Sequence, residues 1–276
     1  MSSRKIAALL VGINKYPAPN ALQGCVPDIQ HAYAWLGANR GLSTSSTRIL
    51  LDGTATRSGI LGGLNWLAAQ DADVALFYYS GHGTRVRDLD GDESTGFDQA
   101  IVPVDFNRSG LILDDDLQRQ FLLFLIHTRI VMLLDSCYSD RADRSFAQSI
   151  KGAYYKYSGK RKARMIEGAD LDREVLQKTY SGITRGWRAP VSQRDVIELA
   201  GCRDFETSAD AYLGKRNGYR GAFSYSVFDQ ALKSFGPNAT YQQAIEESQR
   251  RLSAGGYTQI SQLSGPKEWL KAPIFT

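Results

Sequence analysis

The sequence predicts an α/β fold: a mostly parallel sheet of about six strands with helices on both faces. Three observations predict it. Short, continuous apolar runs recur along the chain, as expected of strands covered on both faces. Stretches with helical spacing of apolar residues lie between them. The two kinds alternate, so each strand returns to the sheet through a crossover and lies parallel to its neighbours. With 276 residues, 43% of them hydrophobic, the chain can bury a large core. We expect one domain over residues 1–276.

The elements follow in order. "IAALLVGI" (Ile6–Ile13) is the first strand, and "TRILL" (Thr47–Leu51) a shorter one. "DVALFYYSG" (Asp73–Gly81), "RIVMLLDSC" (Arg129–Cys137) and "DVIELAGC" (Asp195–Cys202) are the other long ones. Pro27–Gly41 reads as a helix with proline near its start, Ile29, Ala32, Tyr33 and Leu36 on one face, and glycine at its end. Further helices are expected at Ala55–Gln70, Asp114–Leu125, Ala222–Gly236 and Thr240–Gly256, the last opening on a threonine cap. The acids that open Asp114–Leu125 suit a helix N-terminus. Two stretches break the alternation. Residues 139–194 form a connection long enough to be functional or mobile, and "KGAYYKYSGKRKAR" (Lys151–Arg164) within it carries six Lys or Arg and no acid. Arg85–Asp116 carries nine acids against three arginines, so it can be weighed as a cation site.

Composition narrows the class. A net charge of +4 without a long basic stripe is too weak to argue for nucleic acid. Cys25, Cys137 and Cys202 are too few and too scattered for a disulfide framework, and the odd count fits a reducing compartment. The N-terminal apolar run meets Asn14 and Lys15 with no small-residue cleavage pattern, so it reads as a strand and not a signal peptide. The greasy stretch Phe121–Leu134 is broken by His127, Thr128 and Arg129 and is too short to span a bilayer. The expectation is a cytoplasmic protein with no membrane segment, no nucleic-acid partner and no appended prodomain.

Parallel sheets place ligand sites at the carboxyl ends of their strands. Two runs end in unusual residues: "LFYYSGHG" at His82, between glycines, and "VMLLDSC" at Cys137. If those strands are near neighbours, about 5 Å apart per step, thiol and imidazole meet at one edge. A histidine that takes a thiol proton makes a nucleophile for carbonyls, and glycines beside it clear space for a substrate backbone. His31, inside an amphipathic helix, and His127, between a helix and a strand, read as structural. Cys25 precedes a helix, and Cys202 is the one positional rival to Cys137. No Cys or His pair has zinc spacing. "DLDGDESTGFDQ", counted from Asp88 as an EF-hand, fails at Glu93 and Gln99, where Gly and Glu are required.

"YYSGHG" followed by "LLDSCYS" resembles the caspase–hemoglobinase clan, and within it the metacaspases and orthocaspases. "ALLVGINKY", "LQGCVPD", "GFDQAIVPVDF", "LILDDDL", "GCRDFETSADA" and "GYRGAFSYS" resemble further family segments in family order, from about Ile6 to Arg251. The resemblance implies a caspase-like three-layer sandwich and cysteine peptidase chemistry. Cys137 would be the nucleophile, His82 the general acid–base, and the backbone amides of Gly83 and Cys137 the oxyanion donors. It places Asp135, with Asp28 and Ser80, in the primary specificity pocket. Two carboxylates there favour cutting after Arg or Lys. No third triad residue is evident. Tyr138 stands where the family commonly has His, followed by Ser139 and Asp140 in place of Ser-Gly.

The same resemblance suggests calcium as an activator held by Asp98, Asp114 and Asp115, with Asp140 or Asp143 as a speculative fourth ligand. No cofactor is required for the chemistry. The basic loop offers Lys151, Lys156, Lys160, Arg161, Lys162 and Arg164 to an enzyme expected to cut after such residues. It is read as a zymogen-like element, cut by the enzyme itself or by an upstream protease. Partners are then protein substrates with basic cleavage sites, and the chain is expected to be a monomer. Two rivals stand beside this reading: a non-catalytic caspase-like module that binds basic peptides or scaffolds a signalling complex, and a metal-dependent hydrolase built on the acidic region.

Overall fold

A computed structural model of the chain describes residues 4–88, 96–137, 161–168, 171–181, 195–203 and 206–276. Its centre is a six-stranded sheet in the order β12-β9-β7-β3-β1-β2. β1 (Ile6–Gly12), β2 (Thr47–Leu51), β3 (Val74–Ser80), β7 (Arg129–Asp135) and β9 (Val196–Ala200) run parallel, and β12 (Gln262–Ser264) pairs antiparallel at the edge. The four long runs and the shorter one predicted from sequence are these five parallel strands. β12 is too short and too polar to give a run of its own.

Alternation along β1 divides the core into two layers. Ala7, Leu9 and Val11 join one buried cluster, and Ile6, Ala8 and Leu10 join the other. All seven residues of β1 are buried, which is why the strand reads as continuous apolar sequence; each large aliphatic side chain contributes about 2 kcal/mol. On the first face lie α2 (Arg57–Ala68), the short α3 (Phe106–Ser109) and α4 (Asp114–Phe121); on the second lie α1 (Cys25–Arg40) and the helices near the C-terminus.

Local signals fix these helices. Thr56 Oγ1 accepts from Gly59 N at 3.0 Å and starts α2. Gly41 ends α1 in the left-handed region, φ 68°. Helix Tyr241–Ala254 opens on a reciprocal box: Gln243 N donates to Thr240 Oγ1 at 3.1 Å, and Thr240 N donates to Gln243 Oε1 at 3.0 Å. The predicted helix Ala222–Gly236 is Ala222–Tyr225, a wider π-type stretch Ser226–Ala231, and Leu232–Phe235.

Two small sheets flank one edge of the central sheet. β4 (Gly83–Arg87), β5 (Phe97–Ile101) and β6 (Ile112–Leu113) form the first. β8 (Arg161–Ala163), β10 (Ala209–Tyr212) and β11 (Tyr219–Gly221) form the second. Neither was predicted, because their short strands carry charged residues. The basic stretch expected as a loop therefore ends in a strand.

Candidate active site

The ends of β3 and β7 are level. Ser80 pairs with Asp135 in the last rung of their ladder, and Gly81 N donates to Asp135 O at 3.4 Å. Two residues beyond each rung come His82 and Cys137, both buried. The main-chain oxygen of Arg164 links the two ends: it accepts from Gly83 N at 3.1 Å and from Cys137 N at 3.2 Å.

Arg164 arrives there on an extended segment. β8 pairs antiparallel with β10, with Ala163 opposite Ala209. Arg164 N then donates to Ser208 O at 3.1 Å, and Ile166 N donates to Gly83 O at 3.1 Å. The chain thus passes between Ser208 and Gly83, held by main-chain bonds on both sides, as a bound peptide strand is held.

The side chain of Arg164 fills a buried acidic pocket. Its Nη2 lies 2.8 Å from Asp28 Oδ2 and 3.0 Å from Asp210 Oδ1, and its Nη1 lies 3.2 Å from Asp135 Oδ2. Nη1 also donates to Ser80 Oγ at 2.7 Å. The acids are tied in turn. Asp28 accepts from Ser80 Oγ at 3.0 Å, from Gly221 N and from Arg220 Nε at 2.8 Å. Asp135 accepts from Ser224 N at 2.9 Å and from the hydroxyls of Ser208 and Ser224. Asp210 accepts from Gln23 N at 2.9 Å and Gly24 N at 2.8 Å.

Three carboxylates against Arg220 leave the pocket negative without its occupant. Burial raises the Asp28 carboxyl, an effect that Arg164 and Arg220 oppose. Burial also disfavours the Arg164 charge, but Asp135, Cys25, Asp28 and Asp210 outweigh it and keep the guanidinium firmly protonated. One wall of the pocket is Gly221. A Cβ there would fall 2.1 Å from Asp135 Oδ2, 2.5 Å from Arg164 Nη1 and 2.7 Å from Asp28 Oδ2.

His82 is clamped through its backbone. Its N donates to Tyr16 Oη at 3.0 Å, and its O accepts from Tyr79 Oη at 2.7 Å and Val102 N at 3.0 Å. Gly81 makes this clamp possible, since a Cβ there would sit 2.6 Å from Tyr79 Oη and 2.7 Å from Tyr16 Oη. The Tyr16 ring packs on the imidazole with centroids 4.5 Å apart. His82 Nε2 lies 2.6 Å from Asn20 O. A carbonyl only accepts, so the proton belongs on Nε2 and the lone pair on Nδ1, a buried atom with no hydrogen-bond partner among the described residues. Burial pushes the imidazole down to about 4 and keeps it neutral.

The thiol of Cys137 does not bond to that free nitrogen. It donates to Ser208 O at 3.2 Å and accepts from Ser208 N. Sequence reasoning placed thiol and imidazole at one edge, as they are; the direct hydrogen bond is absent while the Arg164 segment lies across the site. Of the other candidates, Cys202 lies within hydrogen-bonding reach of Cys137, and the rest stand apart. Cys202 is buried and donates to Ser136 O at 3.3 Å, and Cys25 is buried at the start of α1; burial raises Cys25, while Cys202 is raised first by its bond with Cys137 and then by burial. His31 faces Asp229 at 3.1 Å and His127 faces Asp71 at 3.2 Å, both on the surface.

Asp28, Ser80 and Asp135 are brought together around the Arg164 guanidinium. Asp210 and Arg220 were missed. The signal for Asp210 was an acid between alanines in "SADAY", a polar residue inside an otherwise buried alternation. The Asn20 carbonyl leaves no sequence signal, because any residue there has one.

The acidic region is different. Asp98 lies on β5, and Asp114 and Asp115 open α4, with Asp115 3.7 Å from Arg119. Among the described residues, no three acidic, His or Cys side chains converge to hold a metal ion. Asp98, Asp114 and Asp115 therefore do not by themselves make the expected cation site. Asp140 and Asp143 lie outside the described residues, as do Tyr138, Ser139, Lys151, Lys156 and Lys160. Among the described residues, no helix is long and apolar enough to cross a membrane.

Strand order and site edge together define a caspase-like peptidase fold. A solved protein from Geobacter sulfurreducens superposes with a TM-score of 0.72 at 22% identity, covering 99% of this chain and 98% of that one. Caspase-1 from Spodoptera frugiperda superposes with a TM-score of 0.51 at 11% identity, covering 95% and 87%. Residues 6–143 match the metacaspase, peptidase C14 domain family. Metacaspase-1 of Scheffersomyces stipitis is 34% identical over 95% of this chain and 71% of its own length. Metacaspase-1 of Meyerozyma guilliermondii is 33% identical over 95% and 70%. The chain belongs to the metacaspase family of cysteine peptidases.

Proposed function

We propose that the chain is an endopeptidase that cuts proteins after Arg or Lys, with Cys137 and His82 as its dyad, and that its first substrate is its own Arg164–Met165 bond. One observation carries this reading: Arg164 occupies the acidic pocket while its carbonyl oxygen receives both main-chain donors, Gly83 N and Cys137 N. The next bond is then presented as a scissile bond.

The steps follow from the donors. The Cys137 thiol turns from Ser208 and gives its proton to His82 Nδ1. The thiolate attacks the carbonyl carbon of the residue in the pocket. The oxygen takes up negative charge, which the N–H groups of Gly83 and Cys137 stabilise. The imidazolium gives its proton to the departing amine as the C–N bond breaks. Water then hydrolyses the thioester, with His82 taking the water proton and returning it to the thiol. The Asn20 carbonyl stands in place of a third side chain, because it orients the imidazole and supports the imidazolium. The fork of contacts to Arg164 favours Arg over Lys, which offers a single point charge.

Until the Arg164 bond is cut, the segment blocks the site, so the intact chain is a zymogen. Of the six basic residues considered for activation, Arg164 is thus the one proposed, and cutting by an upstream protease is the alternative route. Calcium activation stays part of the proposal without a step routed through it; titrating Ca²⁺ against a chelator while following the self-cut decides it. The working unit is taken to be a monomer acting on protein substrates with basic cleavage sites.

The test is mass spectrometry of the purified chain beside Cys137→Ala. The expected result is fragments ending at Arg164 in the first and none in the second, together with hydrolysis of Arg-coumarin but not Asp-coumarin peptides. An intact, inert protein whose site stays closed after nicking at Arg164 would leave only a peptide-binding module.

A further inference from the structure

The residues before Arg164 are held by side-chain contacts that the pocket does not require. Lys162 Nζ donates to Pro19 O at 2.6 Å and to Ala21 O at 2.7 Å. These carbonyls flank Asn20, whose own carbonyl orients His82. The Arg161 guanidinium carbon lies over the Tyr257 ring, 4.1 Å from its centroid. Its Nη1 donates to Gly256 O at 3.1 Å and its Nη2 to Gly255 O at 3.0 Å. Gly255 and Gly256 end helix Tyr241–Ala254, where carbonyls lack helical partners and the helix dipole is negative. An aromatic face beside such carbonyls is a site for a cation. Ala163, between Lys162 and Arg164, is half-exposed on the paired strand.

We propose that these contacts are two further substrate subsites: Tyr257 with the Gly255 and Gly256 carbonyls takes a guanidinium at the fourth position before the cut, and the Pro19 and Ala21 carbonyls take an ammonium at the third. This rests on the reading of Arg164 as a self-bound substrate. The preferred class of substrate is then a polybasic segment of the form Arg-Lys-x-Arg, not a lone arginine. The third position also touches the segment that orients His82. Lysine there acts on the rate of the chemical step as well as on binding, and arginine at the fourth position acts on binding alone.

The experiment has two arms. In the first, the self-processed full chain hydrolyses the coumarin amides of Arg-Lys-Ala-Arg, Ala-Lys-Ala-Arg and Arg-Ala-Ala-Arg. The first is expected to have the highest kcat/KM, by about five- to tenfold over each of the others. The fourth-position effect should lie in KM, and part of the third-position effect in kcat. Tyr257→Leu should remove the fourth-position preference, and Tyr257→Phe, which keeps the ring face, should retain it. Equal rates for the three peptides would overturn the subsites and leave the peptidase reading intact. The second arm needs no activity. In the full-length Cys137→Ala chain, trypsin measures how often the bond after Arg164 leaves its groove. Arg161→Ala and Tyr257→Leu should each speed that cut several-fold, and Tyr257→Phe should not. If trypsin cuts all four at one rate, the subsites are wrong even where the enzyme proves inert. If no peptide is hydrolysed but the trypsin rates divide as stated, the peptidase reading fails and the basic-peptide groove stands.

Discussion

The carbonyl oxygen of Asn20 lies 2.6 Å from Nε2 of His82, so a backbone atom holds the imidazole where other hydrolases use a carboxylate. A carboxylate would favour imidazolium in the resting site; a neutral carbonyl in a buried site leaves it as the base. The His82 pKa is pushed down to about 4 by burial, from the usual 6.5. The folded chain thus binds this proton less readily than the unfolded chain. Its contribution to stability is complete above about pH 6.5 and is lost as pH falls towards 4, amounting to about 3 kcal/mol. Urea unfolding of the Cys137→Ala chain between pH 4 and 7 should show this slope, and His82→Asn should flatten it.

Arg164 both fills the site and neutralises it. Arg164→Ala would leave Asp28, Asp135 and Asp210 buried against Arg220 alone, costing about 3 kcal/mol or more at neutral pH. The cost should shrink in acid, where one of the carboxyls takes a proton. The same variant should show no self-cut. Arg164→Lys should be cut, but at least about tenfold more slowly, since one ammonium replaces a planar fork. Thermal melts at two pH values and a gel time course test these outcomes.

Gly221 is a wall with no room behind it. Gly221→Ala puts a methyl 2.1 Å from Asp135 Oδ2 and 2.5 Å from the guanidinium. The expected loss of kcat/KM for Arg peptides is at least about a hundredfold. Labelling of Cys137 by a small alkylating agent in the self-processed form should survive, which separates a blocked pocket from an unfolded protein.

Asp210 shares the guanidinium with Asp28 and is itself held by two backbone N–H groups. Asp210→Asn keeps the side-chain shape, removes one charge of three and gives up one of the two backbone contacts, since an amide nitrogen cannot accept. It should raise KM for Arg peptides about tenfold with little change in kcat, as binding loses a contact remote from the reacting bond. Steady-state kinetics on one Arg peptide suffice.

The sequence carried the parts of this site that sit on long strands. "YYSGHG" and "VMLLDSC" are buried runs that stop abruptly, and their last rung sets His82 and Cys137 on one edge. Asp135 was legible as the acid that ends an apolar run, and Asp28 through the resemblance of "LQGCVPD" to a family segment. What escaped was made by short or main-chain features. β8 is three residues of basic sequence, and it becomes a strand only because β10 offers an open edge. Asp210 lies on β10 and inherits the same invisibility. The Cys137 thiol's partner depends on its rotamer and on what lies over it, which no spacing encodes. The acids Asp98, Asp114 and Asp115, suggested by the resemblance, do not converge as three ligands among the described residues.

The occupant of the pocket belongs to the same polypeptide as the pocket. Three main-chain bonds and three carboxylates fix Arg164 at an effective concentration that dilution does not change. The proposed self-cut should therefore be first order in protein and indifferent to how much of it is present, while every later cut should be second order. On that proposal a dilute population ripens at the same pace as a crowded one, but only the crowded one does much cutting afterwards.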